Sequence, residues 1–227
     1  MEALFYFGKK DHSSASNNRK STGKNRVHQN RRSALEIPIQ LILFAIPSII
    51  YAAVQRRRNA SWPEIFTKLG WKGSPARYYL LGLAIGSVLG GLAWLAFQLI
   101  PPEVFQNSNV NTARYAGLPL NATTVFMIFL REGIYTTLGE EVFFRGFLGG
   151  WLIRRFGFWV GNLLQTVIFL IPHLLLLLVS VQLWGLVVVQ ALSGWFLGWL
   201  RYRSDSILPG WLLHTLGNTA GALATLL

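Results

Sequence analysis

The stretch TTLGEEVFFRG, residues 136 to 146, sets two adjacent carboxylates and an arginine between runs apolar enough to cross a bilayer. A charged side chain at the centre of a membrane helix costs about 2.5–3.5 kcal/mol on insertion scales, so such residues mark a site and demand partners. Glu140, Glu141 and Arg145 therefore send the reader outward along the chain for groups that could face them.

Of the 227 residues, 52% are hydrophobic and only 13% charged, a balance that a soluble domain could not hide. Runs of about 20 apolar residues fall near 35–54, 78–100, 158–179, 181–200 and 207–226. A sixth, 121–153, contains the opening motif and would measure roughly 50 Å as one helix, so it must tilt, kink or extend past the bilayer. The expected fold is all-α: a polytopic transmembrane bundle of about six helices over 35–227, with its motif-bearing core at 120–227. Residues 1–34 read as a disordered basic tail, rich in Ser, Asn, Lys and Arg and without the apolar stretch of a cleavable signal, so targeting falls to the first span.

The net charge of +12 could suggest nucleic acid, but its distribution suits a membrane protein. Eight of the 21 cations lie in the tail, where anionic lipid is the expected neighbour, and no interleaved aromatics support a nucleic-acid arm. Arg56, Arg57, Arg58, Lys68, Lys72 and Arg77 share one loop, Arg154 and Arg155 a second, Arg201 and Arg203 a third. The positive-inside rule puts these three loops in the cytoplasm, with the connection 101–120 and the turn near Ser180 opposite. The tail's own charge conflicts with that order if the first segment crosses once. SWPEIFTKLGWKG, residues 61–73, reads as a short interfacial helix offering Trp62, Ile65, Phe66, Leu69 and Trp71 to the headgroups.

Polar groups inside the later spans number Arg131, Glu132, Glu140, Glu141, Arg145, His173, His214 and Asn218. On a helix Glu141 and Arg145 stand four apart, carboxylate first, and neutralise each other. Glu140 is turned about 100° away and left less compensated, the better placed of the two to act on protons. Phe169 and His173 in FLIPH share a face, as do His214 and Asn218 in HTLGN. Counted from the proposed cytoplasmic ends, the four groups Glu140, His173, His214 and Asn218 reach roughly 10 to 23 Å at helical rise, so they can converge. Arg131 and Glu132 are expected to be structural and Phe169 to be packing, while the small residues of GLAIGSVLGGLAWLA let helices approach closely.

Such a cluster around a wet cavity can hydrolyse an amide. Glu140 would take a proton from water oriented by His173, and His214 with Asn218 would donate to the developing oxyanion. Equally, Glu140, His173 and His214 could hold a divalent metal such as zinc, with three ligands and an open position. The absence of cysteine removes thiolate chemistry and disulfides. There is no GxSxG and no HExxH, and the only aspartates, Asp11 and Asp205, fall outside the spans.

EEVFFRG, FLIPH and SILPGWLLHTLGN together match EExxxR, FxxxH and HxxxN in order. In these motifs the chain resembles the CPBP family, also called Abi or type II CAAX prenyl protease-like, a group of all-helical intramembrane endopeptidases. The resemblance implies Glu140 as the catalytic carboxylate acting with His173 on water, His214 and Asn218 as oxyanion donors, and Glu141 and Arg145 as a supporting pair or contacts to the substrate C-terminus. The family has been described both as metalloproteases and as glutamic proteases. The reading taken is metal-independent, since Glu140 is left free to act without a metal, with zinc on Glu140, His173 and His214 as the alternative. The implied partners are membrane lipid and a peptide or membrane-protein substrate. Some prokaryotic relatives are linked instead to immunity or assembly, and the second reading is such a factor, binding a partner membrane protein without cleaving it.

Overall fold

The computed structural model describes residues 38–101, 104, 114–115 and 117–226. The basic tail and most of the connection 101–120 lie outside them. Among the described residues every regular element is helical, and the all-α expectation holds.

The elements in chain order are α1 (Ile39–Arg57), α2 (Trp62–Leu69), α3 (Ala76–Gln98) and α4 (Ala122–Phe129), the last running on without a break as π-helix through Leu130–Leu138 and Glu141–Gly149. After these come α5 (Gly150–His173), the short α6 (Leu176–Val179), a 3₁₀ turn (Val181–Leu183), α7 (Trp184–Ser204) and α8 (Leu208–Ala224). Four helical stretches are long and apolar enough to cross a membrane: Ile39–Arg57, Ala76–Gln98, Ala122–Val179 and Val181–Ser204. The third crosses and comes back, because Gly157 within it has φ 77° and ψ 170°, a conformation essentially closed to residues with a Cβ. A Cβ at Gly161 would lie 2.6 Å from the backbone of Ile153, which shows how tightly the returning strand of helix passes the outgoing one. The chain is an integral, multi-pass membrane protein, and its lipid-facing surface is built from exposed side chains such as Ile42, Ile49, Val88, Leu95, Val167 and Val188.

The returning helix is shorter than the apolar run suggests. Pro172 has no N–H to continue the ladder, α5 ends at His173, and the remaining residues to Ser180 form a separate turn. The stripe of small residues on α3 is used by half: Gly82 lies against Leu200 and Pro209, and Gly86 against Leu213, whereas Gly90 and Gly91 face open space.

Helices α5 and α7 are joined by a buried polar seam that an inventory of charged and motif residues passes over. Asn162 donates to the Trp195 carbonyl at 3.1 Å, Gln165 to the Gly194 carbonyl at 2.9 Å, and the Thr166 hydroxyl to the Asn162 carbonyl at 2.8 Å. In hydrocarbon no water competes for such donors, so they fix the register of the two helices. The seam closes on Gly198, where a Cβ would fall 1.9 Å from Asn162 Oδ1. Gly198→Ala is expected to destabilise the bundle by about 1–3 kcal/mol, read as a fall in the thermal unfolding midpoint of the detergent-solubilised protein; an unchanged midpoint would show that the seam is not a tight joint.

All three basic loops meet at one end of the molecule. Arg154 and Arg201 both donate to the Lys68 carbonyl, at 3.1 and 3.3 Å, and the Ile207 amide donates to the Gly70 carbonyl at 2.9 Å. The interfacial helix α2 is capped by the Ser61 hydroxyl, which accepts from the Glu64 amide. It presents Trp62, Phe66 and Trp71 outward, as expected, but Ile65 and Leu69 turn inward and are buried against the bundle. Asp205 is bonded by Lys72 and Arg201. Partial burial works to raise its pKa, yet the two cations outweigh that and hold its carboxyl below the usual range. At the other end, the Tyr115 phenol donates to the buried Glu132 carboxylate, which gives that acid the structural role expected of it. Burial, with Glu132 beside it, pushes the Tyr115 phenol up, so it remains a donor.

Candidate active site

Glu140 stands at the junction of the two nine-residue π-helical stretches. Runs of this kind are rare, and π-bulges recur where a helix must present side chains in directions an α-helix does not allow. Five elements pack against the widened helix: α1, α2, α5, α7 and α8.

Glu141 and Arg145 form the expected pair, with Nη1 to Oε1 at 3.0 Å and both side chains fully buried. The distance is that of an ion pair, although no guanidinium nitrogen is aligned for a hydrogen bond and Glu141 Oε2 is also without a hydrogen-bond partner. Arg145 has a second contact, its Cζ 4.2 Å from the centre of the Phe169 ring. Gly210 allows α8 to lie this close: a Cβ there would be 3.2 Å from Glu141 Oε2.

His214 connects the two glutamates. Its Nδ1–H donates to Glu141 Oε1 at 3.0 Å, and its Nε2 faces Glu140 Oε2 at 3.7 Å. Because an ionised carboxylate only accepts, this bond fixes the proton on Nδ1 and turns the other nitrogen toward Glu140. The Glu140 side chain keeps 12% of its surface accessible, against none for Glu141.

His173 is held in the same manner, Nδ1–H donating to the Phe169 carbonyl at 2.8 Å, which leaves its Nε2 as an acceptor. Phe169 touches both imidazoles, 4.5 Å from the His173 ring and 6.2 Å from the His214 ring between centroids. It is fully buried, as packing would have it. Asn218 lies one turn beyond His214 and donates to the Thr137 hydroxyl at 3.3 Å, with a second amide hydrogen to spare.

The expectation that Glu140 is poorly compensated is modified by a residue outside the motifs. Gln40 on α1 donates through Nε2 to Glu140 Oε1 at 3.0 Å. Gly139 makes room for this approach, since a Cβ there would lie 3.0 Å from the Cα of Leu41. No local signal identifies Gln40, which is one hundred residues away in sequence; a polar residue in the first turn of the first span is the only hint. Gln40→Leu preserves volume and removes a donor to a charged acceptor, a bond of about 1.5–3 kcal/mol. If Glu140 acts on substrate, the expected result is a loss of cleavage of at least tenfold in protein that remains folded at the assay temperature, with the unfolding midpoint lowered by about 3–12 °C.

The metal alternative does not fit this arrangement. Among the described residues no three His, Asp or Glu side chains are gathered so as to hold a metal ion, and Gln40 already donates to one oxygen of Glu140.

The motif order, the helical bundle and the buried Glu–Arg–His cluster all lie in one region, and residues 122–220 match the family model described as type II CAAX prenyl endopeptidase Rce1-like. Residues 122–220 are similar to that family. The finding agrees with the resemblance carried by EEVFFRG, FLIPH and SILPGWLLHTLGN. No curated protein and no solved structure matches the chain. The description of that family model names a type II CAAX prenyl endopeptidase. Gln40 and the basic interfacial helix lie outside the matched region.

Proposed function

We propose that this protein is an intramembrane endopeptidase in which Glu140 activates water against a peptide bond of a membrane-embedded or membrane-anchored substrate. The observation that carries the reading is the asymmetry of the two carboxylates: Glu141 is sealed against Arg145 and His214, while the Glu140 side chain, facing His214 Nε2 at 3.7 Å, keeps 12% of its surface accessible.

In the proposed step Glu140 takes one proton from water as the oxygen attacks the carbonyl carbon. His173, whose Nε2 can only accept while the ring is neutral, orients that water. The oxyanion is met by His214 Nε2–H and the spare Asn218 amide hydrogen. Collapse breaks the C–N bond, and Glu140 returns the proton to the leaving amine. Glu141 and Arg145 support from behind. Their complete burial argues against direct contact with a substrate terminus.

The test is a comparison of peptide termini in host membranes carrying the wild-type protein, the Glu140→Ala protein or neither. New termini present only with wild type would support the protease and name its substrate. A null phenotype rescued by Glu140→Ala, with termini unchanged, would sink it in favour of a factor that binds a partner membrane protein without cutting it.

A further inference from the structure

The basic end of the bundle holds two adjoining cavities that the proposed chemistry does not use. One, of about 290 Å³, is lined by Lys68, Arg154, Arg201, Tyr202 and Asp205. The other, of about 310 Å³, is lined by Phe158, Trp159, Trp195, Trp199, Tyr202 and Arg203. Tyr202 belongs to both.

Charge in the first cavity does not balance: Lys68, Arg154 and Arg201 line it against the single carboxylate of Asp205. Lys68 also pairs with Glu64 at 2.8 Å, and Asp205 is shared by Arg201 and Lys72, both outside partners lying beyond the lining. Arg154, exposed at the helical reversal, makes no ion pair among the described residues and donates to the Lys68 carbonyl.

The second cavity is apolar and open toward the surface. Phe158 stacks on Tyr202 with ring centres 4.7 Å apart, and Trp159 lies 6.0 Å from Trp195 while remaining 73% exposed. Tryptophan and tyrosine at the end of membrane helices sit at headgroup level, and basic pockets between such helices take anionic lipid headgroups.

We propose that the two cavities form one binding site for an anionic glycerophospholipid, its phosphate between Arg154 and Lys68 and its glycerol and upper acyl chain along the aromatic groove. A zwitterionic headgroup would leave the surplus of positive charge uncancelled, and a free anion would leave the aromatic half of the site unused. The bound phosphate ties α2 to the reversal within α5, where Arg154 already reaches the Lys68 carbonyl. That junction is continuous with the helix that carries Glu140 and Glu141. The site stands independently of the proteolytic reading.

The experiment is native mass spectrometry of the purified, delipidated full chain titrated with phosphatidylglycerol or phosphatidylcholine. Phosphatidylglycerol is expected to be retained on the order of tenfold better, and Arg154→Gln or Lys68→Gln to reduce its retention about fivefold each. Arg77→Gln, on the same end of the molecule but outside both cavities, is expected to leave it unchanged. A Trp159→Ala variant is expected to weaken retention as well. Equal retention of the two lipids, an equal loss in Arg77→Gln, or displacement of the lipid by millimolar inorganic phosphate would each overturn the proposal. Because retention is read without any substrate, a failure here is separate from a failure of the protease assignment.

Discussion

Glu140→Gln is expected to lower cleavage by about 10²–10⁴-fold, the range for removal of a general base, while the protein inserts and unfolds almost as wild type does. The amide is close to isosteric, and the Gln40 amide can still donate to its carbonyl oxygen in place of Glu140 Oε1. What is lost is the capacity to take a proton from water. The measurement pairs the rate of appearance of the new peptide termini with the thermal unfolding midpoint in detergent. A rate within a factor of a few of wild type would mean that the carboxylate accessible beside His214 is not the base. A collapse of the midpoint would assign Glu140 to the framework instead.

The opposite pattern is expected one residue further on. Glu141→Ala leaves the Arg145 guanidinium buried without its counter-charge, and breaking one side of a buried pair costs about 3–5 kcal/mol. With a midpoint shift of about 2–4 °C per kcal/mol for a chain of this size, the fall is on the order of ten degrees. Replacing both partners, Glu141→Leu with Arg145→Met, is expected to recover most of that loss, since two apolar side chains carry no desolvation penalty. Cleavage is not expected to return in the double variant, because His214 Nδ1 loses the acceptor that orients its ring. If cleavage does return, Glu141 supports the fold alone. Unchanged stability in the single variant would contradict the fully buried ion pair.

How much of this could be read beforehand differs from group to group. The Glu141–Arg145 pair was accessible to a rule of local spacing, because its partners are four residues apart and a helix brings them together whether it is α or widened. His214 and Asn218 followed the same rule, but their destinations did not: one reaches Glu141 across 73 residues and the other Thr137 across 81. Asn162 and Gln165 were passed over because an uncharged amide in an apolar run weakens no hydropathy signal. The π-helical form of 130–149 has no spacing signature of its own in an apolar stretch. It arises where the helix meets α1 and α8 at Gly139 and Gly133, whose missing side chains let the neighbours in.

The sequence by itself determined the all-helical, multi-pass architecture, the reversal at the arginines and glycine before Phe158, and the chemical identity of the cluster. These depend on apolar run length, on backbone freedom and on spacings of three or four, all of which act within a few residues. Only the tertiary structure decided that His214 closes on Glu141 beside Arg145, that Gln40 reaches Glu140 and that Phe169 lies against both histidines. Those outcomes depend on how closely whole helices approach, a sum over many distant contacts that no short stretch encodes.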